Sequence, residues 1–114
     1  MNATLCQAER IRRRAEFQLI YERGHRIPGR FSTVFVMPNS REVGRLGIAA
    51  TRKIGGAVQR NRAKRLIREV FRRNKIAPGF DVVIIPRREL FEASLTVLEA
   101  DYRARVGRHL RRST

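Results

Sequence analysis

The stretch from residue 52 to residue 73, RKIGGAVQRNRAKRLIREVFRR, does most to restrict what this chain can fold into. From about Ala57 to Arg73 the apolar residues Ala63, Leu66, Ile67, Val70 and Phe71 recur at helical spacing. That pattern predicts an amphipathic helix with one stripe that must be buried. On the opposite side Arg60, Lys64 and Arg68 follow one another along the helical wheel, with Asn61, Arg65 and Arg72 beside them. The stretch holds nine basic residues against one acid, Glu69, and so carries half of the chain's formal net charge of +16. A merely solvated helix face normally intersperses Glu with Lys. A face this cationic needs a polyanion to offset its self-repulsion, and guanidinium forks suit phosphate oxygens.

The flanking sequence says what the buried stripe packs against. RRRAEFQLIYERG reads as a short helix, with Phe17, Ile20 and Tyr21 at i, i+3, i+4 and Gly24 at its end. Phe31 to Met37 is rich in β-branched and aromatic residues and is closed by Pro38-Asn39-Ser40. Leu46 to Thr51 reads as a second strand, and the two predict a hairpin with a long basic loop. Alternation puts Phe31 and Phe35 on one strand face and Ser32, Val34 and Val36 on the other. Gly55-Gly56 separates this region from the basic helix, and Pro78-Gly79 then turns the chain into FDVVIIP. Its continuous run from Val82 to Ile85 reads as a buried strand. A last helix is expected from about Thr96, with Thr96 and Glu99 as a capping box and Leu98, Tyr102, Val106 and Leu110 as its seam. The order αβ(β)βαβα predicts an α+β sandwich. At 114 residues the chain is expected to be one domain, 1–114, with flexible ends over about 1–9 and 111–114.

With 42% apolar and 32% charged residues, the chain reads as a folded domain with a heavily charged exterior. A charge of this size predicts strongly salt-dependent binding to nucleic acid. Binding to an anionic membrane would need a long amphipathic apolar face or an anchor, and the sequence has neither. No apolar run approaches the ~18 residues of a membrane span, and MNATLCQAER lacks the apolar stretch of a signal peptide. The one cysteine, Cys6, has no internal disulfide partner, which suits a reducing compartment. The expectation is a soluble, cytoplasmic protein. His25 and His109 fall in a turn and near the C-terminus, nothing in the sequence pairs them, and they read as incidental surface residues. Asp81, Glu89 and Asp101 are scattered, and no Cys/His spacing suggests zinc. Phe17 and Tyr21 have two readings, as core packing or as a platform on which unpaired bases stack, which Phe35 would complete.

Lys53, Gly55 and Ala57, followed by Arg60-Asn61-Arg62, Lys64-Arg65 and Arg68, match the pattern K-x-G-x-A-x-x-R-N-R-x-K-R-x-x-R. In this the chain closely resembles the bacterial ribonuclease P protein subunit. EFQLIYERG is similar to that family's first helix, LGIAATRKIG to the strand entering the signature, and FDVVIIPRR to its last strand. The resemblance implies an αβββαβα sandwich like a domain of a small-subunit ribosomal protein, with an aromatic cleft between the first helix and the sheet. It also implies a left-handed crossover through the basic helix, against the usual right-handed preference. The implied activity is removal of the 5′ leader from precursor tRNA by a catalytic RNA subunit with bound Mg²⁺. By this resemblance Arg60, Asn61, Arg62, Lys64, Arg65 and Arg68 would bind the ribonuclease P RNA. Phe17, Tyr21 and Phe35, with Arg52, Lys53, Arg87 and Arg88 at the rim, would bind the leader. Thr51 and Gly56 stand where lysines can occur in relatives, which implies leader contacts there that are weaker or carried by neighbouring arginines. No metal position on the protein follows from the residues. Two rival readings are a plain RNA-binding structural protein and a nuclease that cleaves without RNA.

Overall fold

The computed structural model describes residues 7–112. Its elements run α1 (Arg14–Arg23), β1 (His25–Ile27), β2 (Ser32–Pro38), β3 (Arg45–Ile48), α2 (Ala57–Arg73), β4 (Phe80–Pro86) and α3 (Leu95–Arg112), with short 3₁₀ turns at Gln7–Glu9, Arg52–Ile54 and Arg88–Glu92. Cys6 lies outside the described residues, as do residues 1–6 and 113–114 of the ends expected to be flexible.

One sheet, in the order β1-β2-β4-β3, holds these elements together. β2 and β4 pair antiparallel from Ser32↔Pro86 to Pro38↔Phe80, and β3 pairs parallel with β4. The expected hairpin of the second and third strands is therefore wrong, because β4 lies between them. The reason is in β4 itself: Val82 and Val83 are fully buried and Ile84 nearly so. A strand apolar on consecutive residues needs cover on both faces, so it takes an inner position. The chain steps over β4 through a loop pinned to it by Asn39, whose Nδ2 donates to Val43 O (3.1 Å) and to Asp81 Oδ1 (3.0 Å).

The two faces of the sheet carry different layers. On one, Val34, Val36, Val82 and Ile84 meet Ala63, Ile67, Val70 and Phe71 of α2 and Leu98, Tyr102, Val106 and Leu110 of α3. On the other, Val83 meets Ile11 and Ile20, with Phe17, Tyr21, Phe35 and Met37 around them. Phe31 departs from the alternation expected of it and packs with the α2/α3 layer. It precedes the first residue of β2, so the pleat does not govern where it points.

α1 ends at Gly24, whose N–H donates to Ile20 O. Gly24 is extended rather than left-handed, and a Cβ there would lie 2.5 Å from Ile20 O. α3 begins one residue earlier than expected. Ser94 Oγ accepts from Val97 N–H (3.2 Å), so Ser94 provides the cap and the Thr96/Glu99 box does not form. Glu99 instead accepts from Asn74 Nδ2 (3.0 Å) and faces Arg73 (3.5 Å), tying α3 to the end of α2. His25 and His109 are also brought together, their rings stacked at 4.2 Å, which sequence separation had hidden.

Candidate nucleic-acid interface

The apolar stripe of α2 fixes which of its cations face outwards. Glu69 takes Arg72 as an ion-pair partner, and Arg73 is drawn to Glu99. Arg60, Arg62, Lys64, Arg65 and Arg68 have no carboxylate partner among the described residues. Asn61, Arg62 and Arg65 are exposed, and Arg60 is half-buried with Nη1 near Gly55 O (3.3 Å). Arg62 lies over the Phe91 ring at 5.4 Å, which holds its guanidinium without neutralising it. The six signature residues thus form a broad polar side of α2, with Asn61, Arg62 and Arg65 exposed and Arg60, Lys64 and Arg68 half-buried. Its start is set by Gly55 (φ 135°), a conformation open to glycine, followed by Gly56 as N-cap.

Arg52, Lys53, Arg87 and Arg88 come together because β3 and β4 run parallel, so their C-terminal ends lie side by side. Arg88 Nε donates to Lys53 O (2.7 Å), and all four side chains are exposed. On the same face of the sheet as α1, Tyr21 meets Phe35 edge-on (centroids 5.2 Å) and Phe17 at a tilt (6.3 Å). All three rings are half-buried. Gly47 lets Phe17 settle onto β3, since a Cβ there would fall 2.8 Å from the ring. Burial pushes the Tyr21 phenol above its ordinary pKa, so it stays neutral and able to donate. α1 is anchored over the sheet by Arg45, which pairs with Asp81 (2.7 Å) on β4 and Glu16 (2.9 Å) on α1.

Comparison with known proteins gives this geometry its context. The family model for ribonuclease P matches residues 5–110. The ribonuclease P protein component of a Thermotoga species (strain RQ2) is 43% identical over 94 residues, covering 81% of this chain and 80% of its own. The chain belongs to the bacterial ribonuclease P protein family. The solved ribonuclease P protein of Thermotoga maritima superposes with a TM-score of 0.73 at 39% identity, over 81% of this chain and 89% of that one. That of Staphylococcus aureus gives 0.77 at 31% identity, over 89% and 94%. Proteins of this family are the protein component of an RNA-dependent endoribonuclease that processes tRNA, so the chain has an RNA partner.

In this family member the signature cations and the aromatic cluster lie on two sides of one sheet, joined at the 3₁₀ turn Arg52–Ile54 that leads into α2. Sequence reasoning missed the part played by the N-terminal segment. Ile11 N–H donates to Leu46 O (2.9 Å), so Arg10 to Arg12 line the open edge of β3. The alternation Arg10-Ile11-Arg12 is the one signal that pointed to an extended, half-buried segment. Among the described residues no cluster of three or more His, Cys, Asp or Glu could hold a metal ion, and no helix is long and apolar enough to cross a membrane.

Proposed function

We propose that this chain binds the catalytic RNA of ribonuclease P through the cationic face of α2 and holds the single-stranded 5′ leader of precursor tRNA in the aromatic cleft beneath α1. The observation that carries this reading is the sparse charge compensation on α2, whose one acid, Glu69, pairs with Arg72. Among the described residues five cations of one helix stand without a carboxylate, although each costs the free protein self-repulsion. Arg60, Arg62, Lys64, Arg65 and Arg68 would take backbone phosphates, and the Asn61 amide would donate to or accept from a base or sugar. Phe17, Tyr21 and Phe35 would offer ring faces and edges to unpaired bases, while Arg52, Lys53, Arg87 and Arg88 hold the leader phosphates. Only Ile54 to Gly56 separate the leader rim from the start of α2, so one short turn would couple leader position to the RNA subunit.

The chemistry belongs to the RNA in this reading. Among the described residues no group of three or more His, Cys, Asp or Glu offers Mg²⁺ a ligand set. Asp81 is committed to Arg45, Asp101 to Arg105, Glu69 to Arg72 and Glu9 to Lys75. The RNA would therefore hold the ions, and the protein would contribute position and electrostatic screening. The cytoplasm, where precursor tRNA is made, is the compartment of action.

The test is to mix the purified chain with a bacterial ribonuclease P RNA at low Mg²⁺ and assay precursor-tRNA cleavage, with each component alone as a control. Cleavage only in the mixture is expected. Tight RNA binding with no stimulation would leave a structural RNA-binding protein as the better reading, and cleavage by the chain alone would make it a nuclease in its own right.

A further inference from the structure

The cations of α2 do not all face the same way. Arg62 and Arg65 are exposed, whereas Lys64 and Arg68, one turn apart, are half-buried at the edge of β3. There they meet Arg10 and Arg12 from the N-terminal segment across a cleft of about 230 Å³. Its remaining walls are apolar: Ile11, Phe17, Leu46 and Ile48. Four cations thus surround a small cleft whose apolar contribution comes from Phe17 and Ile48, with Ile11 and Leu46 mostly buried behind them. None of the four has a carboxylate partner among the described residues, and Glu9, next to Arg10 in sequence, pairs with Lys75. Arg10 Nε is moreover buried without a hydrogen-bond acceptor among the described residues. A buried donor left in that state is costly, and an oxygen supplied by a ligand would satisfy it.

We infer that this cleft is a binding site for one unstacked nucleotide of RNA, with the base against Ile11, Phe17 and Ile48 and the flanking phosphates on Arg10, Arg12, Lys64 and Arg68. Size and charge both favour that occupant. The cleft is smaller than the ~300–1,000 Å³ pockets that enclose drug-sized ligands, which suits a single base. The cations on opposite walls suit phosphates on either side of it, because a nucleotide within a strand carries one on each side. The site rests on the RNA-binding reading above but uses residues, Arg10 and Arg12, that lie outside both surfaces proposed there. Phe17 lines it from one side and contacts Tyr21 on the other, so it is continuous with the aromatic cleft. The nucleotide comes either from the leader strand or from an unpaired position of the catalytic RNA.

Two measurements test this. In the first, the full chain is titrated with adenosine 5′-monophosphate, and the Ile11 and Ile48 methyl resonances are followed by NMR, with inorganic phosphate as the control. Methyl shifts with the nucleotide but not with phosphate are expected. Equal shifts with both, or none with the nucleotide, would overturn the site. In the second, the Arg10→Gln/Arg12→Gln protein is assembled with the RNA subunit. Its affinity for that RNA, and the holoenzyme's affinity for precursor and mature tRNA, are measured against salt. A loss of about tenfold or more is expected, with the log–log salt slope shallower by about 1 to 2. A loss for the RNA subunit assigns the nucleotide to the catalytic RNA, and a loss confined to precursor tRNA assigns it to the leader. No loss in either arm sinks the proposal. Arg62→Ala/Arg65→Ala is run alongside. If that variant still weakens RNA binding, the docking role of α2 stands whatever becomes of the cleft; if it does not, the docking role fails separately.

Discussion

Replacing Arg45 with Met should be among the most damaging single changes to the aromatic cleft, although Arg45 touches none of its rings. Its side chain is only 11% exposed and that of Asp81 3%, so the pair is held away from water. Nε donates to Asp81 Oδ1 at 2.8 Å and Nη2 to Oδ2 at 2.7 Å, while Nη1 reaches Glu16 on α1 at 2.9 Å. These hydrogen bonds, Asp81 first, outweigh the opposing effect of burial and push the Arg45 pKa above its ordinary value. Met preserves most of the volume but leaves a buried carboxylate with only Asn39 Nδ2 as donor. Breaking one side of a buried pair costs about 3–5 kcal/mol, out of a total stability of about 5–15 kcal/mol. Losing one positive charge from a chain of +16 works the other way, but the repulsion it relieves is spread over the surface and screened by salt. The net expectation is a loss of about 3–4 kcal/mol, read from urea unfolding in phosphate buffer as a lower midpoint at unchanged m-value. The double variant Arg45→Met/Asp81→Leu should recover most of it, because the stranded charge is gone. A loss below about 1 kcal/mol for the single variant, or a double variant no better than the single, would refute the reasoning.

Other expectations follow from particular residues. The Tyr102 hydroxyl is buried with no hydrogen-bond partner among the described residues, so Tyr102→Phe should stabilise the protein by about 1 kcal/mol in the same urea assay. Burial holds the Tyr102 phenol protonated well above its ordinary range, whereas in the unfolded chain it titrates near pH 10. The folded state then binds more protons, so stability should fall as pH rises above about 10, and less steeply in Tyr102→Phe. Arg60→Ala with Arg65→Ala should weaken binding to the RNA subunit and flatten its log–log salt dependence by roughly one per lost phosphate contact; an unchanged slope would move the RNA interface off α2. Phe17→Ala should cost about 1–3 kcal/mol of leader affinity if a base stacks on it. A fall in protein stability with leader affinity intact would make the ring a packing element instead.

Periodicity within one segment records which face of an element is buried, and here it was read correctly wherever that sufficed. The α2 stripe, the α3 seam of Leu98, Tyr102, Val106 and Leu110, and the doubly buried run of β4 all follow from residue spacing alone. The signature around Arg60-Asn61-Arg62 carried the family, because its residues are consecutive and lie on one helix. What periodicity does not record is the partner of a buried face. Leu46 to Thr51 has the look of a strand whether its neighbour is β2 or β4, and the choice was made by β4 needing cover on both sides. Phe31 alternates with Phe35 on paper, yet the strand starts one residue later and the ring turns to the other layer. The stacking of His25 on His109 and the meeting of Arg10 and Arg12 with Lys64 and Arg68 join residues more than fifty positions apart. The sequence by itself determined the helices, the buried strand and the cationic face, since each is a local pattern of side chains on a regular backbone. Only the tertiary structure decided the strand order, the orientation of single aromatic residues and the cleft at the β3 edge, because those depend on which surfaces compete for the same neighbour.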